Sequence, residues 1–296
     1  MKRSPAPARA DRAECGRQAF LWACSLDVQT RKPGNVSFAS AGHGMHAATF
    51  IAAAAVSAGP ISAAGATVGE RIEAAVRAAW QAVHCNTNLG IVLLCAPLLA
   101  AFERGEGTTD ADTLRGALEA VLQSLDLADA RAAYRAIALA HPGGLGRVAE
   151  QDVQAAPTVG LREAMALASH RDRIAWQYQH AYGDVFELGL PPLLAARSAG
   201  DAGARAMQAA FLEFAAALPD SHIVRKHGGA VAQSVIREAA PWRARARAGA
   251  VLDHDPAFAR WDEDLKARGL NPGTSADLCV AAALTAALLV PPPRLP

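Results

Sequence analysis

The chain has 296 residues, enough to bury a substantial core in one large domain or two small ones. Apolar residues make up 52% but aromatics only 5%, so Ala, Leu and Val dominate; this composition favours helices and leaves few strand-like runs. A net charge of +1 gives no field for nucleic acid or an acidic membrane, and five cysteines with no C-x-x-C pair argue for idle thiols in a reducing cytoplasm rather than disulfides or a zinc cage.

Residues 1–10 are basic and Pro/Ala-rich and read as a disordered tail ahead of a single all-α domain over 11–296. A helix is expected from Asp11 to Val28, followed by a polar loop that Pro33 and Gly34 turn. Ala47–Ala58 is a small-residue helix. Gly69–His84 carries an apolar stripe of Val68, Ile72, Ala75, Val76, Ala79 and Val83. Leu89–Phe102 is apolar on all sides and belongs at the centre of the fold, with Pro97 kinking it or standing near its end. This stretch and Leu278–Val290 both fall short of the ~20 residues of a membrane span and read as core helices. Further helices are expected at Ala111–Leu122 and Asp129–Ala140. After a Gly-rich break at His141–Gly146 come helices at Leu161–His170 and Arg171–Phe186. Pro191 and Pro192 mark a turn. The last helices are Gly203–Leu218, Gly229–Ala240, Pro256–Arg268 and Ser275–Leu289. The whole predicts one compact multi-helix domain.

Four polar segments interrupt this pattern: Lys32-Pro33-Gly34-Asn35, Asn86-Thr87-Asn88-Leu89-Gly90, Asp220 to Gly229, and Asn271 to Asp277. Three sit at a predicted helix start, where unpaired N–H groups and partial positive charge favour phosphate. The plainer reading is ordinary capping; Thr274 and Asp277 are spaced like a capping box. Arg225-Lys226-His227 beside Gly228-Gly229 is either a phosphate clamp or a solvated helix end. His43 and His46 lack a nearby third ligand for a metal. No Walker A loop, nucleophile elbow or dinucleotide fingerprint is present.

In this order, the four segments resemble the triphosphoribosyl-dephospho-coenzyme A synthase family. Lys32-Pro33-Gly34 resembles its early Lys-Pro-Gly, and Asn86–Gly90 its Asn-Thr motif before an apolar helix. Asp220-Ser221-His222 with Gly228-Gly229 is similar to its Asp-Thr-Asn…Arg-Gly-Gly, and Asn271–Leu278 to its Ser-Pro-Gly-Gly-Ser-Ala-Asp-Leu. Two family stretches differ. Gly-Ala-His-x-Asp-Met-Asp reads Ala41-Gly42-His43-Gly44-Met45-His46 here, without the acidic residues. Arg-Gly-Glu-Ala-Glu is replaced by Arg171-Asp172-Arg173-Ile174-Ala175. These wordings are similar to the branch of methanogens and methylotrophs.

The resemblance implies transfer of a triphosphoribosyl group from ATP to dephospho-coenzyme A with loss of adenine. Alternatives are a related transfer to another acceptor in pterin or furan cofactor assembly, and a non-catalytic nucleotide-binding protein. It implies small-molecule partners only, and the oligomeric state stays open, a homodimer included. Lys32, Arg225, Lys226 and the Asn86–Asn88 helix start would hold phosphates. Asp220 and Asp277 would bind Mg²⁺ or act as base, with Glu73 and Asp172 as reserve carboxylates. Pro33, Gly34, Asn35, His43, Gly90, His227, Gly228, Gly229, Gly273 and Ser275 would line the substrate site.

Overall fold

Residues 9–105, 110–141, 153–198 and 203–291 are described by the computed structural model. Among them the chain forms α1 (Arg9–Gln29), α2 (Ala47–Ile61), α3 (Val68–Val83), α4 (Leu89–Arg104), α5 (Ala111–Gln123), α6 (Leu127–Ala140) and α7 (Leu161–Ala168). Then follow α8 (Arg173–Gln179), a π-helical turn (Val185–Gly189), α9 (Leu190–Ser198), α10 (Ala204–Ala215), α11 (Ser221–His227), α12 (Gly229–Arg247), α13 (Pro256–Ala267) and α14 (Gly273–Leu289). No strand occurs among the described residues, so the fold is all-α.

Local chemistry sets many of the helix starts. Thr67 accepts from Glu70 N at 3.2 Å while Glu70 accepts from Thr67 N at 2.8 Å, a reciprocal capping box that opens α3. Asp126 and Asp129 make a second box at α6. Asp129 also accepts from Gly69 N at 2.7 Å, and a Cβ at Gly69 would lie 2.6 Å from Asp129 Cα, so α3 and α6 cross at near backbone contact.

The centre holds two apolar helices. α4 is buried along nearly its whole length, as its sequence predicts. α14 shares that position: it touches α1, α4, α8, α9, α10 and α11 and is almost wholly enclosed. Pro97 sits mid-way along α4 and removes the N–H that would bond the Leu93 carbonyl. Tyr178 Oη donates to that carbonyl at 2.6 Å, and Tyr182 Oη to Leu94 O at 3.0 Å. Burial pushes both phenols up, so they stay protonated donors.

Several expectations shift. Arg9 and Ala10 of the expected tail are helical, and Arg9 pairs with Glu103; residues 1–8 lie outside the described residues, as do 142–146 of the Gly-rich break. The helix expected over Arg171–Phe186 breaks at Ala181 and Tyr182, whose φ values are 46° and 56°. Pro191 and Pro192 lie inside a continuous helical run, directly after the π-helical turn Val185–Gly189, instead of in a turn. α12 runs through Pro241 to Arg247, and the polar stretch after Asp220 is itself helical.

Candidate active site

The N-terminus of α14 is where the polar segments meet. Asp220 caps its own helix, with Oδ1 accepting from His222 N at 2.9 Å and Ile223 N at 3.2 Å. Its Oδ2 accepts from Ser275 N at 2.7 Å and Ser275 Oγ at 2.9 Å. One carboxylate thus joins the starts of α11 and α14. Asn35 Nδ2 donates to Asn271 Oδ1 at 3.0 Å, and Gly34 N to Asp262 Oδ1 at 2.9 Å. Gly34 has φ +82°, and a Cβ there would sit 2.8 Å from Leu270 O, so the Lys-Pro-Gly turn lies hard against the loop entering α14. His43 holds the same turn through Nε2 and Gly34 O, 2.8 Å apart.

Gly90, in the first turn of α4, lies against Asp277; a Cβ there would overlap the carboxylate and stand 2.6 Å from Cγ. The same Cβ would be 2.8 Å from Ile174 Cδ1, which places the start of α8 alongside. Asp172 caps α8 through Oδ1, and its Oδ2 accepts from Arg225 Nη1 at 2.6 Å. Four helix N-termini therefore surround Asp277, which lies five residues into α14.

Asp277 does not cap its helix: α14 begins at Gly273 after Pro272, so the capping-box spacing with Thr274 falls inside the helix. The side chain is half-buried, and among the described residues it has no hydrogen bond or ion pair. Burial, then Asp27 and Asp220, push its carboxyl well up, against the pull of Arg225. The same polar segments hold buried atoms without partners: Thr87 Oγ1, His222 Nε2 and Arg225 Nε. Burial, followed by Lys226, Arg225, His43 and His227, draws His222 down to about 4, so its imidazole is neutral at physiological pH.

Other candidates are placed elsewhere or are already engaged. Lys32 is fully buried, its Nζ 2.6 Å from Asp27 O and 3.0 Å from Asp27 Oδ1; its charge answers a buried carboxylate in the last turn of α1, where the helix dipole disfavours an anion. Asp220, expected as a metal ligand, has both oxygens engaged by four donors of the protein. Glu73 is taken by Arg77 at 2.7 Å and Arg135 at 2.6 Å and joins no other polar segment. Asn88 Nδ2 donates to Ser57 Oγ at 3.1 Å, a buried structural bond. Asn86 Oδ1 faces Leu89 N at 3.4 Å. His227 meets Gly269 O at 3.2 Å, Lys226 is exposed, and Gly228 (φ +86°) with Gly229 forms the exposed joint between α11 and α12. Sequence reasoning passed over Asp27, whose place in a helix's last turn was the available signal, and His222 and Asn271, which were quoted in motifs but given no role.

An all-α chain with a lone unpartnered carboxylate, ringed by helix N-termini and backed by a basic turn of α11, is a protein shaped for a polyanionic small molecule. The sequence model of the family described as ATP:dephospho-CoA triphosphoribosyl transferase matches residues 13–293, and the chain belongs to this family. It is a transferase whose reaction is triphosphoribosyl transfer from ATP to dephospho-CoA. The match favours neither another acceptor nor a non-catalytic protein. No curated protein matches the sequence. A crystal structure from Archaeoglobus fulgidus, provisionally assigned as a triphosphoribosyl-dephospho-coA synthase, shares the fold with a TM-score of 0.62. It is 21% identical, over 82% of this chain and 98% of that one. No helix among the described residues is long and apolar enough to cross a membrane.

Proposed function

We propose that Asp277 is the reacting carboxylate of this transfer and that Arg225, Lys226 and the start of α4 grip the triphosphate. The reading is carried by one observation: Asp277 is half-buried and, among the described residues, unpartnered where four helix N-termini converge. A carboxyl held above the ordinary aspartate range by burial and by Asp27 is a stronger base once ionised, here taking the proton of the dephospho-CoA hydroxyl as it attacks ribosyl C1. Its negative charge also faces the oxocarbenium-like centre that forms as adenine leaves. Arg225 offers a fork to phosphate oxygens and Lys226 a point charge.

Among the described residues no three His, Cys, Asp or Glu side chains gather as metal ligands, and Asp220 and Asp172 have both oxygens occupied. Magnesium bound with ATP would supply charge neutralisation at the triphosphate, beside Arg225 and Lys226. Residues 11–296 act as one catalytic domain. The five free thiols, three of them buried, support a reducing cytoplasmic setting.

Purified protein with ATP, Mg²⁺ and dephospho-CoA, followed by liquid chromatography and mass spectrometry, tests the proposal. Adenine and the triphosphoribosyl adduct should form together, and only with both substrates. Asp277→Asn should lower turnover by at least about 100-fold, in the range expected for a lost general base. Near-normal turnover by that variant overturns the assignment of Asp277.

A further inference from the structure

We infer that Asp172 is a positioning residue that aims Arg225 at the triphosphate while capping α8. This rests on the reading that Arg225 grips that group. The carboxylate divides its two oxygens: Oδ1 accepts from Ile174 N and Ala175 N at 2.9 and 3.2 Å, and Oδ2 from Arg225 Nη1 at 2.6 Å. A helix cap needs only the first. The second holds a guanidinium whose pairing is single-pronged, and Arg225 Nε is buried without a partner. An arginine has five N–H donors in a planar fork. With Nη1 fixed on Asp172, the edge bearing Nε remains to meet an anion oxygen.

The placement is reinforced from the neighbouring residue. Arg173 N donates to Ser221 Oγ at 2.8 Å, so two consecutive residues at the start of α8 hold two positions one turn apart on α11, Ser221 and Arg225. Asp172 and Arg225 both act electrostatically on Asp277 with opposite sign, which puts the pair beside the reacting carboxylate. Fixing a long side chain in advance spares its ordering when ligand binds, which is how a residue that never touches the substrate raises affinity for it.

Asp172→Asn separates the two duties, because Asn caps as well as Asp but carries no charge to hold the guanidinium. Thermal unfolding should stay near wild type, while KM for ATP rises about 10-fold or more, as expected for loss of a charged hydrogen bond. KM for dephospho-CoA should not move. Asp172→Ser, another capping residue without charge, should behave alike and serves if the Asn variant folds poorly. Arg225→Ala should raise KM for ATP more, and the double variant should be no worse than Arg225→Ala alone. Additive losses, an unchanged KM for ATP in Asp172→Asn, or equal loss on both substrates with a lowered melting temperature each overturn the role of Asp172. An unchanged KM for ATP in Arg225→Ala instead overturns the triphosphate reading beneath it.

Discussion

A methyl group at position 90 would overlap the Asp277 carboxylate and press on Ile174 Cδ1 at 2.8 Å. Glycine there allows the α4 backbone and the carboxylate to share one narrow space. Gly90→Ala should therefore push the carboxylate off its position while slightly favouring the helix itself, since Ala is about 1 kcal/mol better than Gly inside helices. The expected outcome is a fall in kcat of roughly 100-fold, the scale of a 1 Å misplacement, with little change in melting temperature. Steady-state kinetics beside thermal unfolding checks it, and wild-type kcat would show that Asp277 need not stand where it does. The same pair marks what one sequence withholds. Asp277 reads as a cap from its spacing to Thr274, because the helix start two residues earlier is set by Pro272 and by Asp220 reaching over from another helix. Lys32 reads as a phosphate ligand because nothing in the local pattern shows Asp27 folding back on it.

At the scale of elements, α4 and α14 were legible as buried helices because both are apolar on every face, and α3 because its stripe has helical period. The break at Ala181 and the run of α12 through Pro241 were not, since tertiary partners decide them. Pro97 shows how. Its missing N–H leaves the Leu93 carbonyl open inside the core, and Tyr178, distant in sequence, fills it at 2.6 Å. Tyr178→Phe should cost about 1–3 kcal/mol, the desolvation cost of a buried unpaired group. Restoring the helix's own donor with Pro97→Ala should reduce that cost. Denaturant unfolding of the two single variants and the double variant measures this, and a Tyr178→Phe penalty unchanged by Pro97→Ala would remove the link between the two residues.

For the whole molecule, the site and the fold make opposite demands on Asp277. Burial, Asp27 and Asp220 together outweigh Arg225, so the folded protein favours the neutral carboxyl more than the unfolded chain does. The sign follows directly. Below the unfolded value of about 3.9 the group is neutral in both states and costs nothing. As pH rises above that value the unfolded chain ionises while the folded protein still holds its proton, so stability is lost progressively until the folded carboxyl ionises too, and it is not regained above that point. Asp277→Asn should therefore melt higher than wild type at pH 7 to 8, and the gap should close on acidification through the ordinary aspartate range. The same ionisation is what catalysis needs, so kcat of the wild type should fall as pH drops through a value well above that of a free aspartate. Melting curves across pH for both proteins, beside a kcat–pH profile, test the two together. A variant less stable than wild type at neutral pH would mean that the charge is welcome in the fold, and the carboxylate would then be an ordinary partner of Arg225.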